Sequence, residues 1–423
     1  ALQSRIVPQS GKAADSMKSI AISAIILLSS ICLYGAGPLR VAFVGDPQVD
    51  NGTELEYARK SIYSELRKRT DIDFAVFLGD LVNDNTGLLC PTVQTLDSLP
   101  FPWFSVPGNH DRDVYKEKGR IRDLYSYTAT VGAPDTSFVR NGIRFILMNN
   151  VRHSGKSEYE GGFTQKGKDF IKGVLKDTPS KQPIVFATHI PLSWSKGLDS
   201  LTTMLRSHSR IIFVGGHTHS VSRHSIERQG QIPVHEIIAG AACGSWWRGE
   251  KGPDGIPSAL QNCGAPRGYF IADFKKSGKY RLEYKVIGSD EAPVSAYISK
   301  DSLLYVNIFG GSTEGRTTVR IKDSRRHPAM EALRTEAVAP EVARTIESNK
   351  GRIHPIEKDS VSAYMDRQIL YGNPGKHLCR NKVQGQKYEN TYDSSPQEPL
   401  ETNGHASAGV SGQIKKLAIY WSA

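Results

Sequence analysis

The stretch that decides the fold is Phe74-Ala-Val-Phe-Leu-Gly-Asp80, a short apolar run that stops at a glycine and a carboxylate. The run is brief and rich in aromatic and branched side chains, so it predicts a buried β-strand. The same pattern returns at Ile211-Ile-Phe-Val-Gly-Gly-His217, where histidine replaces the carboxylate. Polar residues at the ends of strands are typical of an α/β sheet whose functional site lies at its carboxyl edge.

Similar runs recur from residue 39 to about residue 287. The predicted strands cover residues 40–44, 74–78, 103–106, 143–147, 184–187, 211–214, 234–238, 269–274 and 280–286. Two amphipathic helices are predicted between them, over residues 54–68 and from a Thr164 cap to Leu175. Strands that alternate with helices predict an α/β sandwich.

The chain divides into four predicted segments. Residues 1–37 form an N-terminal extension with a signal peptide, and residues 38–287 form the α/β domain. Short strands separated by Gly, Ser and Asp predict a small β-rich domain over residues 288–379. Residues 380–423 are polar and lack periodicity, which predicts a disordered tail.

Five of the predicted strand ends carry side chains that can bind metal. They deliver carboxylate, amide and imidazole groups: Asp46, Gln48, Asp80, Asn109, His189, His217 and His219. This mixture of oxygen and nitrogen donors without thiolate suits manganese, iron, zinc or nickel. Two such metals close together could activate water and clamp an in-line displacement at phosphorus.

These motifs resemble the ordered blocks of the calcineurin-like metallophosphoesterases, which are D-x-H, G-D, G-N-H-[DE], a lone His and G-H-x-H. Four blocks match outright in this chain: Gly79-Asp80, Gly108-Asn109-His110-Asp111, His189 and Gly216-His217-Thr218-His219. The resemblance implies a four-layer αββα sandwich of two mixed sheets, followed by the small β-rich C-terminal domain. It also implies two divalent metal ions as cofactors.

The resemblance further implies a role for each residue. The first metal would be held by Asp46, Asp80 and His219, and the second by Asp80, Asn109, His189 and His217. His110 is similar to the family's catalytic histidine, which stabilises the transition state and protonates the leaving oxygen. Asp111 would orient the imidazole of His110.

The first block departs from the family pattern, because Gln48 stands where histidine is usual. An amide oxygen is a harder and weaker ligand than imidazole. Gln48 is therefore predicted either to ligate the first metal or to hydrogen-bond to Asp46.

A loop with two tryptophans makes the chain resemble bacterial members that carry an additional C-terminal β domain. This loop runs from Ala239 to Trp247, and a strand-like run at Val306–Gly310 is similar to the opening of that domain. Trp246 and Trp247 could form a substrate platform or simply pack the loop. Arg112 could reach a substrate phosphate or be an ordinary solvated cation.

The composition sets wider limits on function. The formal net charge is +11, yet no nucleic-acid-binding motif is present, so a solvated basic surface is the simplest interpretation. Cys243 and Cys263 flank one loop and could form a disulfide or remain two buried thiols.

The N-terminal sequence predicts export. Met17-Lys18 precedes an apolar run of about 14 residues, which fits a signal peptide and is short for a membrane span of about 20 residues. The mature chain is thus predicted to be periplasmic or secreted and to have no transmembrane domain. Lipid attachment at Cys32 is disfavoured because Ile31 occupies a position that requires a small residue.

Together these features predict a secreted phosphoesterase that hydrolyses a phosphomonoester or phosphodiester of unknown type by in-line attack of a metal-bridging hydroxide. An alternative is an inactive or weakly active scaffold that binds a glycan or a protein. A protein phosphatase is a third hypothesis, which the export signal disfavours. Oligomeric state is not predicted.

Overall fold

The computed structural model describes residues 37–113, 123–154, 158–298, 303–312, 314–315, 317–321, 330–335, 380–384, 403–407 and 417–422. All described strands and helices belong to one compact unit that begins at Leu39. The predicted signal peptide lies outside the described residues. Within the described ranges, no helix combines the length and apolarity needed to cross a membrane.

The strands of the α/β region are β1 Leu39–Val44, β2 Phe74–Phe77, β3 Trp103–Ser105, β4 Thr136–Arg140, β5 Ile143–Met148, β6 Val151–His153, β7 Tyr159–Gly161, β8 Ile184–Thr188, β9 Ile211–Gly215, β10 Val221–Arg228, β11 Gln231–Ala239, β12 Gly268–Phe274 and β13 Tyr280–Val286. The α-helices are α1 Gly52–Ala58, α2 Ser64–Arg67, α3 Leu89–Leu96, α4 Tyr125–Thr130, α5 Gln165–Lys176 and α6 Leu198–Met204. A π-helical turn, Arg59–Tyr63, joins α1 to α2.

Two mixed sheets form the centre of the molecule. The first has the order β13-β12-β1-β2-β3 and the second has the order β10-β11-β9-β8-β5-β4. Strands β1, β2 and β3 are parallel in the first sheet, and β5, β8, β9 and β11 are parallel in the second. Parallel strands end at the same sheet edge, so the residues that follow them are brought together.

Alternation along the strands explains the layers. In β1, Val41 and Phe43 belong to a core shared with side chains of the second sheet, whereas Ala42 and Val44 pack with residues of α1 and α3. The side chains of β8 alternate in the same way. Those on one face belong to the core shared by the two sheets, and those on the other face pack with residues of α5 and α6. Apolar side chains on both faces of each sheet therefore require two sheets inside and helices outside. The predicted four-layer αββα sandwich is confirmed.

Smaller β-sheets follow the sandwich. Their strands are β14 Val294–Ile298, β15 Leu303–Ile308, β16 Thr317–Ile321, β17 Met330–Glu331, β18 Leu333–Thr335, β19 Arg380–Gln384, β20 Asn403–Ser407 and β21 Leu417–Ser422. They form two four-stranded sheets, ordered β14-β15-β19-β18 and β17-β16-β21-β20. The C-terminal region is thus β-rich, as predicted.

Three of these strands, β19, β20 and β21, lie in residues 380–423, where the sequence predicts a disordered tail. β19 pairs with β15 and β18, and β21 pairs with β16 and β20. The polar composition of residues 380–423 concealed these strands, because an average over a long segment hides a short apolar run such as Leu417-Ala-Ile-Tyr-Trp421. The other residues of the predicted tail lie outside the described ranges.

The two cysteines that flank one loop do not pair. Cys243 and Cys263 are both free thiols, and both are buried. Burial raises the pKa of each thiol, which favours the neutral form. Of the two alternatives, the structure has two buried thiols.

Candidate metal centre

The predicted ligands converge where the strands of both sheets end. Asp46 follows β1, Asp80 follows β2 and Asn109 follows β3, all at the carboxyl edge of the first sheet. His189 follows β8, and His217 and His219 follow β9, at the corresponding edge of the second sheet. Packing one sheet on the other brings the two sets of residues together.

The tightest cluster surrounds the imidazole of His189, which is fully buried. Its Nε2 lies 2.9 Å from Asn109 Oδ1 and 3.4 Å from Asp80 Oδ2. Nδ1 of His217 lies 3.1 Å from the same nitrogen. The donor atoms of Asp80, His189 and His217 all lie within 4.8 Å of one another, so they could bind one ion.

A second set of donors surrounds the buried carboxylate of Asp46. Oδ1 of Asp46 lies 4.0 Å from His219 Nε2 and 4.0 Å from His189 Nδ1. Both carboxylate oxygens also accept the backbone N–H of His217, at 3.1 and 2.9 Å. Asp46 therefore contacts the backbone of His217 and lies near the imidazoles of both His189 and His219.

Gln48 is the residue that departs from the family pattern, and its amide is buried beside this site. Nε2 of Gln48 donates a hydrogen bond of 3.1 Å to Asn83 Oδ1 rather than to Asp46. Oε1 of Gln48 is buried and has no hydrogen-bond partner among the described residues. A buried amide oxygen without a donor is unfavourable, and a bound cation would satisfy it.

The backbone at the site is strained. Six polar residues have positive φ angles of 39–70°, a region that non-glycine residues seldom adopt: Asp46, Gln48, Asp80, Asp84, His217 and His219. Such strain persists where surrounding contacts fix the conformation, and it clusters at functional sites. The chain thus holds these side chains in one arrangement.

Three motif glycines leave room for the ligands. A Cβ at Gly108 would overlap the Asp80 carboxylate, and one at Gly216 would lie 2.6 Å from Asp46 Oδ2. A Cβ at Gly79 would lie 2.6 Å from His189 Nδ1. The glycines of G-D, G-N-H and G-H-x-H are therefore required by close approach of the ligands.

Replacement of one of these glycines tests the packing directly. We expect Gly108→Ala to destabilise the protein by about 1–3 kcal/mol and to weaken metal binding, because the new methyl group must displace the Asp80 carboxylate. Thermal unfolding and metal titration measure the two effects. Gly173→Ala is the matched control: it adds a methyl group in open space on helix α5 and should stabilise by about 0.5–1 kcal/mol. Equal melting temperatures for Gly108→Ala and wild type would contradict the steric argument.

The pKa values of the clustered side chains favour the binding of a cation. Burial lowers the pKa of His189, but the carboxylates of Asp80 and Asp46 outweigh it and raise that pKa to about 9. Burial lowers the pKa of His217 to about 3 and that of His219 to about 4, so both are neutral ligands at pH 7. Burial also raises the pKa of Asp46 well above its usual value. Two buried acidic side chains beside two neutral imidazoles offer the mixed oxygen and nitrogen donors that divalent transition metals prefer. The residues present fit the metals that the sequence implies.

His110 does not have the partner predicted for it. Its Nδ1 lies 2.9 Å from Asp84 Oδ1, and its backbone N–H donates to Asp80 Oδ1 at 2.8 Å. The carboxylate of Asp111 instead accepts backbone N–H groups, from Val82 at 3.1 Å and from Gly108 at 2.9 Å. The prediction that Asp111 orients His110 is therefore wrong: its oxygens are occupied by the loops, and Asp84 contacts the imidazole.

The three residues predicted to contact substrate have different surroundings. Arg112 is buried, and its Nη2 donates at 2.9 Å both to Asn149 Oδ1 and to the carbonyl of Val151. Trp247 is buried, and its Nε1 donates at 3.2 Å to the carbonyl of Pro47. These contacts favour packing roles for both. Trp246 is half-buried and lies against His219.

Sequence reasoning missed several contributors to the site. Asp84 is not among the predicted site residues, although its carboxylate contacts the imidazole of His110. The carbonyls of Leu78 and Gly244 accept hydrogen bonds from the Nδ1 atoms of His189 and His219, respectively. Backbone carbonyls carry no residue-type signal, so only the position of Asp84, four residues after Asp80, could have indicated its role.

The sandwich and its cluster of carboxylates and histidines define a metal-binding α/β protein. The family model for calcineurin-like phosphoesterase matches residues 39–221, and the model for the C-terminal part of calcineurin-like phosphoesterase matches residues 236–394. The chain belongs to the calcineurin-like phosphoesterase family, a family of metal-dependent phosphoesterases. No curated protein matches the chain in sequence.

Solved structures that match this chain are distant in sequence. A dimetal phosphatase from Danio rerio is 15% identical, with 59% of this chain and 96% of that chain covered and a TM-score of 0.41. PhoD is 12% identical, with 80% and 78% covered and a TM-score of 0.42. A phosphopantetheinyl hydrolase from Mycobacterium tuberculosis is 15% identical, with 49% and 91% covered and a TM-score of 0.34.

Proposed function

We propose that this protein hydrolyses a phosphomonoester or a phosphodiester with two divalent metal ions. The observation that carries the proposal is the convergence of two buried carboxylates, one amide and three imidazoles from five strand ends. One ion would be held by Asp46, Gln48, Asp80 and His219, and the other by Asp80, Asn109, His189 and His217. The unpartnered Oε1 of Gln48 supports its inclusion as a ligand.

When bound, the metals would supply a water of lowered pKa and would stabilise charge on the phosphoryl oxygens. The protein's own residues fix the positions of the metal ligands and protonate the leaving oxygen. His110 is suited to the latter, because 29% of its side chain is exposed at the edge of the cluster. Its Nδ1 is held by Asp84, so Nε2 is the ring nitrogen left to donate a hydrogen bond to the phosphoryl group or a proton to the leaving oxygen.

Asp111 has a different part in this proposal. Its two carboxylate oxygens tie the loop that contains Asn109 to the loop that contains Asp80, through the N–H groups of Gly108 and Val82. Asp111 is thus a positioning residue that keeps two ligand loops in register, as residues outside the ligand set do in many metal sites.

Hydrolysis of para-nitrophenyl phosphate and bis(para-nitrophenyl) phosphate tests the proposal. The metal-free protein is loaded in turn with Mn²⁺, Fe²⁺, Zn²⁺ or Ni²⁺, and metal content is measured in parallel. We expect turnover that requires metal, with about two equivalents bound, and the preferred ester then distinguishes a monoesterase from a diesterase. A folded protein that binds one equivalent or none and turns over neither ester would favour the alternative binding scaffold.

We also propose that the chain is exported before it acts. The support is the sequence alone: Met17-Lys18, the apolar run after it and the small residues Gly35-Ala36-Gly37. The test is expression from Met17 in a bacterial host, followed by fractionation and determination of the mature N-terminus. Cleavage near residue 37 with periplasmic enrichment is expected, and an uncleaved cytosolic product would contradict export.

A further inference from the structure

One short segment, residues 244–247, contacts two of the three loops that supply the proposed ligands of the first metal. The carbonyl of Gly244 lies 2.5 Å from His219 Nδ1. The Trp246 ring stacks on the His219 imidazole, with centroids 4.2 Å apart and an interplanar angle of 25°. Trp247 donates to the carbonyl of Pro47, which lies between Asp46 and Gln48 in the chain. The 244–247 segment therefore joins the Asp46 loop to His219.

The backbone of the 244–247 segment has a conformation that bulky residues rarely adopt. Trp246 and Trp247 have φ angles of 52° and 56°, in the left-handed region that bulky residues avoid. Gly244 has φ 65°, and a Cβ there would overlap the carbonyl of Ala259. Ser245 Oγ anchors the segment with a 2.7 Å hydrogen bond to the carbonyl of Leu260. Tertiary contacts fix these strained residues, and such fixation is typical of functional positions.

The contacts of Trp246 distinguish it from a substrate platform. One face of its indole lies on a histidine of the metal centre. The guanidinium of Arg248 lies 5.5 Å from the centroid of the same ring. The face that covers His219 is unavailable to a substrate, and it restricts the rotation of the imidazole instead.

The two contacts on His219 have complementary effects. The Gly244 carbonyl holds the proton on Nδ1, which leaves the lone pair of Nε2 for a ligand bond on the side of Asp46. The stacked Trp246 ring sets the plane of the imidazole. Since Gln48 replaces a stronger imidazole ligand in this half of the centre, the first metal depends more heavily on a correctly oriented His219.

We propose that Trp246 is a positioning residue that orients His219 for the first metal. This inference rests on the proposed two-metal function. Trp246 acts on metal affinity in one half of the centre, and it contributes little to substrate affinity or to turnover once the metals are bound.

Calorimetric titration of metal-free protein with Mn²⁺ tests this inference. We expect wild type to bind two ions, and Trp246→Ala to weaken one of the two events by about 10–100-fold while the other is unchanged. Trp246→Phe, which keeps a flat ring, should restore most of the affinity. At saturating Mn²⁺, kcat and KM for the preferred para-nitrophenyl ester should approach the wild-type values. Trp194→Ala removes an exposed tryptophan elsewhere and is the control.

The other outcomes separate the two hypotheses. Two unchanged binding events in Trp246→Ala, or a raised KM with unchanged metal affinity, would overturn the positioning role and leave the two-metal function intact. If Trp246→Ala does not fold, Trp246→Leu keeps the apolar bulk without a flat ring and should show the same selective weakening. Absence of two binding events in wild type with each of Mn²⁺, Fe²⁺, Zn²⁺ and Ni²⁺ would overturn the proposed function and this inference with it.

Discussion

Asp80→Asn is expected to reduce turnover of the para-nitrophenyl esters by about 10³-fold or more, the largest effect of any single substitution at the site. Oδ2 of Asp80 lies 3.4 Å from His189 Nε2, and its other oxygen accepts the N–H of His110. Asp80 is the one residue assigned to both metals. Replacing the carboxylate by an amide removes a negative charge from both and should leave about one metal equivalent or none.

The measurements are steady-state kinetics, metal content and thermal unfolding on the same preparation. An asparagine fits the space of the aspartate and can still accept the N–H of His110, so the fold should remain intact. Asp199→Asn is the matched control, because Asp199 is an exposed residue on helix α6 and should tolerate the same change. Wild-type turnover and metal content in Asp80→Asn would refute its assignment as the bridging ligand.

His110→Ala is expected to reduce kcat by about 10²–10³-fold while metal content stays at the wild-type level. The imidazole is half-buried at the edge of the cluster and belongs to neither ligand set. Its removal therefore deletes a proton donor and leaves the metal ligands in place. His235→Ala, at an exposed histidine on β11, is the matched control.

Asp84→Asn should have a smaller effect on the same catalytic step. Loss of the carboxylate that holds Nδ1 of His110 should lower kcat by about 10–100-fold, less than loss of the imidazole itself. In the double variant, Asp84→Asn should add little to His110→Ala, because both changes act on one group. A large decrease in metal content in His110→Ala, or additive effects in the double variant, would contradict a role confined to the leaving group.

Much of the fold could be predicted from the sequence. Short apolar runs such as 74–78 and 211–214 each end at a polar motif, and both faces of each run are apolar. Such strands must be covered on both sides, and the helical periodicity of residues 54–68 and 165–175 supplied the cover. Sheet order could not be predicted, because β12 and β13 return from more than 200 residues away to pair beside β1.

For the site, the sequence predicted the candidate metal ligands but not the hydrogen-bond partners that hold them. The donors that follow strand ends were identified from residue type and order, since parallel strands bring their carboxyl ends together. The partners of those donors depend on how loops turn after the strands. Asp111 is adjacent to His110 in sequence, yet the backbone directs its carboxylate to Val82 and Gly108, and Asp84 reaches the imidazole instead.

The sequence by itself indicated which side chains could bind metal and determined that they lie at the ends of buried strands. Residue type, strand periodicity and glycine spacing are local properties that can be read directly from the sequence. Only the tertiary structure decided what holds each ligand in place. The Gly244 carbonyl reaches His219 across 25 residues, and Trp247 reaches the carbonyl of Pro47 across 200. Contacts of that range follow from the packing of loops around the sheets, which no local pattern specifies.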